Sequence, residues 1–326
     1  TYEDLELYQF EKGVNWQKEV FGRNALTQNY NVNVNGGSEK LKYSIGLTGN
    51  YDQGVMINSG ANKNNLNFNL NDKINDHWSV DFSARISINT IDGNGTSSTN
   101  STNAFLRHAI QYPPTNGLAD IIEATDFSNT DIESFNLLIN PVTVANDTYR
   151  KYNRSAIALN GAVNYNFLKY FTLQSSWGID FYNQRTNSYY GSNTSFSKQN
   201  GGYPIVNVGF GEGLNWRNAN TLTFSKNDFL PDQDISVLLG QEVVSFTSKQ
   251  VNNDIRYFPM GIDAEGALAF MALGKPEPIT SYEAPDNNLL SFFSRLTYSY
   301  KNRYLLSATL RSDGSSKFAK GNQWGI

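Results

Sequence analysis

Residues 29 to 51, NYNVNVNGGSEKLKYSIGLTGNY, alternate with a period of two on both sides of a Gly36-Gly37 hinge. From Tyr30 to Val34 every second residue is apolar or aromatic, and the residues between are asparagine. From Leu41 to Tyr51 the set Leu41, Tyr43, Ile45, Leu47 and Tyr51 alternates with Lys42, Ser44, Gly46, Thr48 and Asn50. A period of two sends successive side chains to opposite faces of an extended strand. Such a strand therefore needs an apolar environment on one side and a hydrogen-bonding one on the other. The chain carries 43 asparagines, a residue depleted from ordinary strands, so the second face is wet and rich in amide donors and acceptors.

The same alternation recurs along the chain. Leu66, Phe68 and Leu70 interleave with Asn65, Asn67, Asn69 and Asn71. Across a turn at Asn75-Asp76, Trp78, Val80, Phe82, Ala84, Ile86 and Ile88 interleave with polar residues. Further pairs are expected at 157–167 with 171–181 and at 290–300 with 304–310, turning at Leu168-Lys169 and Lys301-Asn302. Two noisier strands, about 217–229 and 233–250, have mixed faces and join at LPDQ. This makes ten strands in hairpin order, several reaching the roughly 9 to 11 residues that a tilted strand needs to cross a bilayer core.

The connections are as informative as the strands. Those after the odd-numbered strands take a few residues, and those after the even ones are long, near 52–62, 92–152, 185–215 and 251–287. Short turns at one rim and long loops at the other are the pattern of an outer-membrane barrel. Trp78, Tyr165, Phe167, Phe171, Tyr298, Tyr300 and Tyr304 lie beside the short turns with the parity of the apolar face, where a barrel carries its interfacial aromatic girdle. On this reading Val32, Val34, Ile45, Leu47, Val80, Phe82 and Ile86 face lipid. A soluble antiparallel sandwich also alternates apolar and polar residues. One-sided long loops and aromatics gathered at strand ends weigh against it. With the short turns periplasmic, both ends of the chain lie outside, as expected of an internal piece of a larger barrel.

Composition removes other classes. A net charge of -4 lacks the basic excess of a nucleic-acid binder. No cysteine is present, which excludes disulfides and thiolate sites, and His77 and His108, the two histidines, are far apart in sequence. Neither a metal nor a cofactor is expected. No apolar run approaches the roughly 18 residues of a spanning helix. GFGEG at 209–213 lacks the spacing of a dinucleotide fingerprint and reads as a flexible loop. DGNG from Asp92 lacks the closing acid of a calcium loop, and QYPPTNG at 111–117 is a rigid turn-forming stretch. The residues offer no catalytic constellation, so an enzyme is not expected. Candidates for substrate contact are the loop aromatics Tyr189, Tyr190 and Trp216, which could stack on sugar rings or simply pack loops together, and the wet-face charges Arg85, Asp180 and Arg295. Residues 1–27 read as an extracellular segment with a short helix, NWQKEVF, capped by Asn15. Residues 28–326 read as the partial barrel.

The segments NWQKEVF, TQNYNVNVNGGSEKLKYSIGLTGNYDQGVMINSG and LNDKINDHWSVDFSARIS resemble the SusC/RagA family of TonB-dependent outer-membrane transporters. So does SFFSRLTYSYKNRYLLSATLRSDGSSKFAKGNQWG, whose Arg311, Asp313, Gly314, Ser315, Ser316, Lys317 and Phe318 are the most specific part. The resemblance implies an all-β fold of antiparallel up-and-down strands, part of a 22-stranded transmembrane β-barrel in a Gram-negative outer membrane. It implies a plug, a SusD-like lid lipoprotein, and energy from the TonB complex delivered through an N-terminal segment that this chain does not hold. The expected function is import of an oligosaccharide or peptide. The alternative is a soluble or surface-exposed β-rich binding module, lectin-like or adhesive.

Overall fold

The computed structural model describes residues 12–93, 105–114, 139–285 and 287–326. The remainder of the expected 1–27 segment and of the 92–152 loop lies outside the described residues. Ten long strands dominate: β1 (Thr27–Gly37), β2 (Leu41–Gln53), β3 (Gly60–Lys73), β4 (Trp78–Asp92), β5 (Thr148–Phe167), β6 (Phe171–Tyr190), β7 (Ile205–Leu230), β8 (Gln233–Arg256), β11 (Asn287–Tyr300) and β12 (Tyr304–Ser315). Three short ones, β9 (Lys275–Pro276), β10 (Thr280–Glu283) and β13 (Trp324–Gly325), complete a single antiparallel sheet. Its order follows the chain from β1 to β8, then β11, β12 and β13, with β9 and β10 pairing onto β8. Among the described residues no helix is long and apolar enough to cross a membrane.

The tight turns form where expected. Leu168 and Lys169 have φ of 48° and 63°, and Lys301 and Asn302 have 54° and 51°. Two consecutive left-handed residues match the right-handed twist of a hairpin, although neither pair contains glycine. Leu230 pairs with Gln233 around Pro231-Asp232. At this rim the connections are residues 38–40, 74–77, 168–170, 231–232 and 301–303; at the other they are 54–59, 93–147, 191–204 and 257–286.

The first and third of the expected long loops are therefore shorter than 52–62 and 185–215. β6 continues to Tyr190 and β7 starts at Ile205, so GFGEG is strand, not flexible loop. Its glycines have a packing role: a Cβ at Gly213 would collide with the ring of Tyr182, and one at Gly211 with the side chain of Gln184, their partners on β6.

Four short helices stand among the loops: α1 (Trp16–Phe21), α2 (Phe105–Gln111), α3 (Pro141–Asn146) and α4 (Ser195–Gln199), joined by α5 (Ala264–Ala269) after β8. Asn15 caps α1, its Oδ1 accepting from the Lys18 amide at 2.9 Å. Val20 then packs with Met56, Phe105, Ile139, Val144 and Ala145, and Trp16 meets Tyr112 edge-to-face at 5.2 Å. A second cluster gathers Tyr189, Val206, Val208 and Ile255 under Phe258 and Ala267. The buried core thus lies in the loop layer and at the upper strand ends, and the strand centres are left bare.

Candidate functional site: a two-faced wall

Pairing register joins the alternating residues of separate strands into two continuous surfaces. On one, Val32 stands opposite Leu47, Leu47 opposite Leu66, Leu66 opposite Ile86, and Ile86 opposite Ile157. The row continues through Phe181 to Leu214. These side chains have no protein layer over them: Val32 is 58% exposed, Val34 54%, Leu47 54% and Ile45 41%, with Phe82 and Ile86 exposed and Val80 half-buried. A soluble sandwich would press this face against a second sheet. An exposed apolar band spanning so many strands is stable only against hydrocarbon.

One rim of that face is aromatic. Trp78 stacks on Tyr165 at 4.4 Å, Tyr165 on Phe167 at 5.5 Å, Phe167 on Phe171 at 5.5 Å, and Phe171 meets Phe224 at 5.1 Å. Farther along, Tyr300 faces Tyr304 at 6.2 Å and Tyr298 donates to Gln233.

The opposite face is a lattice of hydrogen bonds. Asn33 donates to Asn31 at 2.6 Å, Asn65 to Thr48 at 3.4 Å, Ser87 to Asn65 at 2.6 Å and Arg85 to Asn67 at 3.1 Å. Asn71 and Asn164 both donate to Asp81, and Gln174 donates to Asn164 at 2.7 Å. An amide both donates and accepts, so asparagines along adjacent strands satisfy one another and still present free valences to water. A recess of about 490 Å³ includes Lys42, Asn69, Asn71, Asp81, Asn160 and Arg217 in its lining.

The candidate contact residues separate on this map. Arg85 and Asp180 share one row of the polar face with only Ala158 between them. Arg295 is remote, on β11, bonded to Thr309 at 3.4 Å. Trp216 is not in a loop: it lies within β7 on the apolar face, opposite Ile179 and Ser245. Tyr189 is buried, its hydroxyl donating to the Ile262 carbonyl, and Tyr190 packs on Phe196 at 4.4 Å.

Sequence reasoning missed one polar cluster. Arg311 bonds Glu242 at 3.0 Å, Asp313 at 2.8 Å and Ser291 at 2.9 Å, with its guanidinium over the Phe293 ring. Arg311 and Asp313 share parity and were visible as a pair. Glu242 comes from β8, about 70 residues earlier, and only register brings it there.

At the loop rim a recess of about 600 Å³ gathers Asp92, Asp147, Asp263 and Glu265 with Arg23 and Arg150. Burial pushes the Asp147 carboxyl above the usual range, partly offset by the Asn193 amide donating to it at 2.7 Å. Among the described residues no group of three or more potential ligands is placed to hold a metal.

No protein-family model matches the chain. It is 27% identical over 342 residues to the TonB-dependent receptor SusC of Bacteroides thetaiotaomicron, covering 95% of this chain and 31% of SusC. TonB-dependent receptor P26 of Formosa agariphila is 25% identical, covering 91% of this chain and 29% of P26. Among solved structures, that of the RagAB peptide importer in the 'closed-closed' state superposes with a TM-score of 0.80 at 17% identity, over 97% of this chain and 34% of the other. The chain spans about a third of the length of these relatives.

The fold, the bare apolar band and these likenesses define the class: a length of wall from an outer-membrane β-barrel. Within that class, the chain is similar to the TonB-dependent receptor SusC, at 27% identity over 95% of its length.

Proposed function

We propose that this chain is part of the wall of an energy-coupled importer that brings a peptide or glycan nutrient across the outer membrane. The observation that carries the reading is the exposed apolar band backed by a hydrogen-bonded polar face, which separates lipid from a hydrated passage. Within the whole protein the barrel has 22 strands, a plug fills the lumen, TonB supplies energy, and a SusD-like lipoprotein covers the mouth. The long connections and residues 1–27 are extracellular, and the aromatic rim is the periplasmic girdle. Arg85, Asp180 and Arg295 line the passage. Tyr189 and Tyr190 shape the loops around its mouth, and Trp216 faces lipid.

Similarity to TonB-dependent receptors and to the RagAB peptide importer supports nutrient uptake as the general activity, and the two substrate classes are separated by growth. A strain lacking the full-length gene is compared with its parent on defined oligopeptides and on defined polysaccharides as limiting nutrient. Loss of growth on one class, restored by the gene, identifies the cargo. Unimpaired growth and unimpaired uptake of labelled nutrients of both classes would defeat the import reading.

A further inference from the structure

The outer face of β5 and β6 is built in tiers. Up β6 its side chains are Phe171, Leu173, Ser175, Trp177, Ile179 and Phe181. Ten residues at about 3.3 Å each and a tilt near 40° rise roughly 25 Å, the full height of a barrel's apolar band. Phe181 and its β5 partner Ile157 therefore mark the upper edge of that band. Both strands continue past it. The next pairs on the same face are Ser155 with Asn183, Asn153 with Arg185, and Lys151 with Asn187. By the same measure Arg185 stands about 10 Å above Phe181, in the headgroup layer.

Aromatic residues belong at both interfaces of an ordinary span. The lower edge of this wall obeys that rule with the stack from Trp78 to Phe171, whereas β5 and β6 pass the upper edge in amides, a hydroxyl and two cations. The two leaflets thus meet different chemistry. Arg185 is exposed, donates from Nε to Asn187 Oδ1 at 3.0 Å, and holds its guanidinium 5.2 Å from the Phe210 ring centroid. Lys151 is its diagonal neighbour, at a separation of roughly 7 to 8 Å between side-chain roots. Among the described residues neither cation forms an ion pair, although Asp92 is the strand partner of Lys151. The acid of the adjoining row, Glu212, faces Lys249 on β8, which also bonds Glu283 at 3.0 Å.

We infer that this face binds a phosphate-bearing glycolipid of the outer leaflet. Its acyl chains lie on Ile157, Ile179 and Phe181, its sugar hydroxyls meet Ser155 and Asn183, and its phosphate sits between Lys151 and Arg185. Phosphate oxygens accept charge-assisted hydrogen bonds from a guanidinium and an ammonium. The occupant is a lipid because the cationic tier is continuous with the surface that hydrocarbon covers. The order apolar, hydroxylic, cationic also repeats the order of groups along such a molecule, and a free phosphate or sugar has no use for the tier beneath. The inference rests on the proposed orientation, with the long connections outside the cell, and is independent of the cargo.

The full-length protein is purified from native outer membranes in mild detergent, and retained lipid is counted by native mass spectrometry. The parent is expected to keep a phosphorylated glycolipid. The double variant Lys151→Ser with Arg185→Ser should keep about tenfold less, having lost both charge-assisted contacts, and Lys249→Gln, whose charge is already paired, should match the parent. Folding of each variant is read from gel mobility without heating. Delipidated parent is then offered lipid A, or lipid A stripped by a phosphatase, in phosphatidylcholine vesicles, and only the phosphorylated form should be retained. Equal retention by the folded double variant, or of the stripped lipid, overturns the inference. Orientation is checked separately with an impermeant maleimide on whole cells carrying Val55→Cys, an exposed position in the 54–59 connection. Labelling only after permeabilisation strikes the orientation and the inference with it, whereas labelling of intact cells with equal lipid counts strikes the inference alone.

Discussion

Trp78 and Tyr165 lie on neighbouring strands as directly opposed partners, their rings stacked at 4.4 Å beside a tight turn. Aromatic pairs of this kind contribute about 0.5 to 1.5 kcal/mol beyond the area they bury, and an amphipathic indole prefers the headgroup boundary. Trp78→Ala in the full-length protein is expected to lower stability in bilayers by roughly 1 to 3 kcal/mol. Denaturant unfolding from vesicles measures it, and brominated lipids should quench Trp78 most strongly when the bromines sit near the headgroup.

Leu47 and Thr48 are neighbours in sequence and stand on opposite faces of the sheet. An arginine at mid-bilayer depth on a barrel's lipid face costs about 2 to 4 kcal/mol, so Leu47→Arg is expected to reduce the folded protein in the outer membrane sharply. Thr48→Arg, pointing into water, should be accumulated like the parent. A lipid-soluble quencher applied to fluorophores at single cysteines is expected to reach positions 45 and 47 and not 44, 46 and 48. Quenching at none of them would assign the apolar face to a protein core.

Glu242 and Asp313 hold one guanidinium between them. Because Arg311 is about two-fifths exposed, solvent screening limits each ion pair, and the coupling expected from a Glu242→Gln and Arg311→Lys double-mutant cycle is about 1 kcal/mol. Arg311→Lys alone should not be benign, since an ammonium cannot fork to Glu242, Ser291 and Asp313 together. Urea unfolding of the four proteins in vesicles provides the numbers.

Asp147 carries a pH dependence of definite sign. Its carboxyl is raised by burial, so the folded state binds a proton more tightly than the unfolded chain. That contribution is fully present below the ordinary carboxylate value of 3.8 and is lost as pH rises through the higher folded value. Asp147→Asn keeps an oxygen for the Asn193 amide and removes the charge. It is expected to slow hydrogen exchange of residues 190–194 at neutral pH, and to change it little well below pH 3.8.

Much of this architecture was legible because the alternation is unforgiving. One residue of slip would exchange Ile45 for Ser44 on the lipid face, so strand positions, tight turns and the composition of both faces follow from periodicity alone. Two regions resisted for physical reasons. At the upper ends of β6 and β7 the outer face is covered by protein at Tyr189, Val206 and Val208, and Gly209, Gly211 and Gly213 erase the side-chain pattern on the inner face, so long strand ends resemble loop. The strands expected at 217–229 and 233–250 looked noisy because Asn218, Asn220 and Gln241 occupy positions on the otherwise apolar face. The Glu242–Arg311 pairing was illegible because periodicity assigns a face and not a partner.

The order of strands in space repeats their order in the chain from β1 to β8 and again from β11 to β13. The hairpins at the short-turn rim each close over a handful of residues, so their loop-closure entropy comes in small instalments, and only the connections at 93–147 and 257–286 close over long spans. This sheet can be laid down as a fabric is woven, row upon row from either selvedge, with every finished row serving as the template for the one that follows.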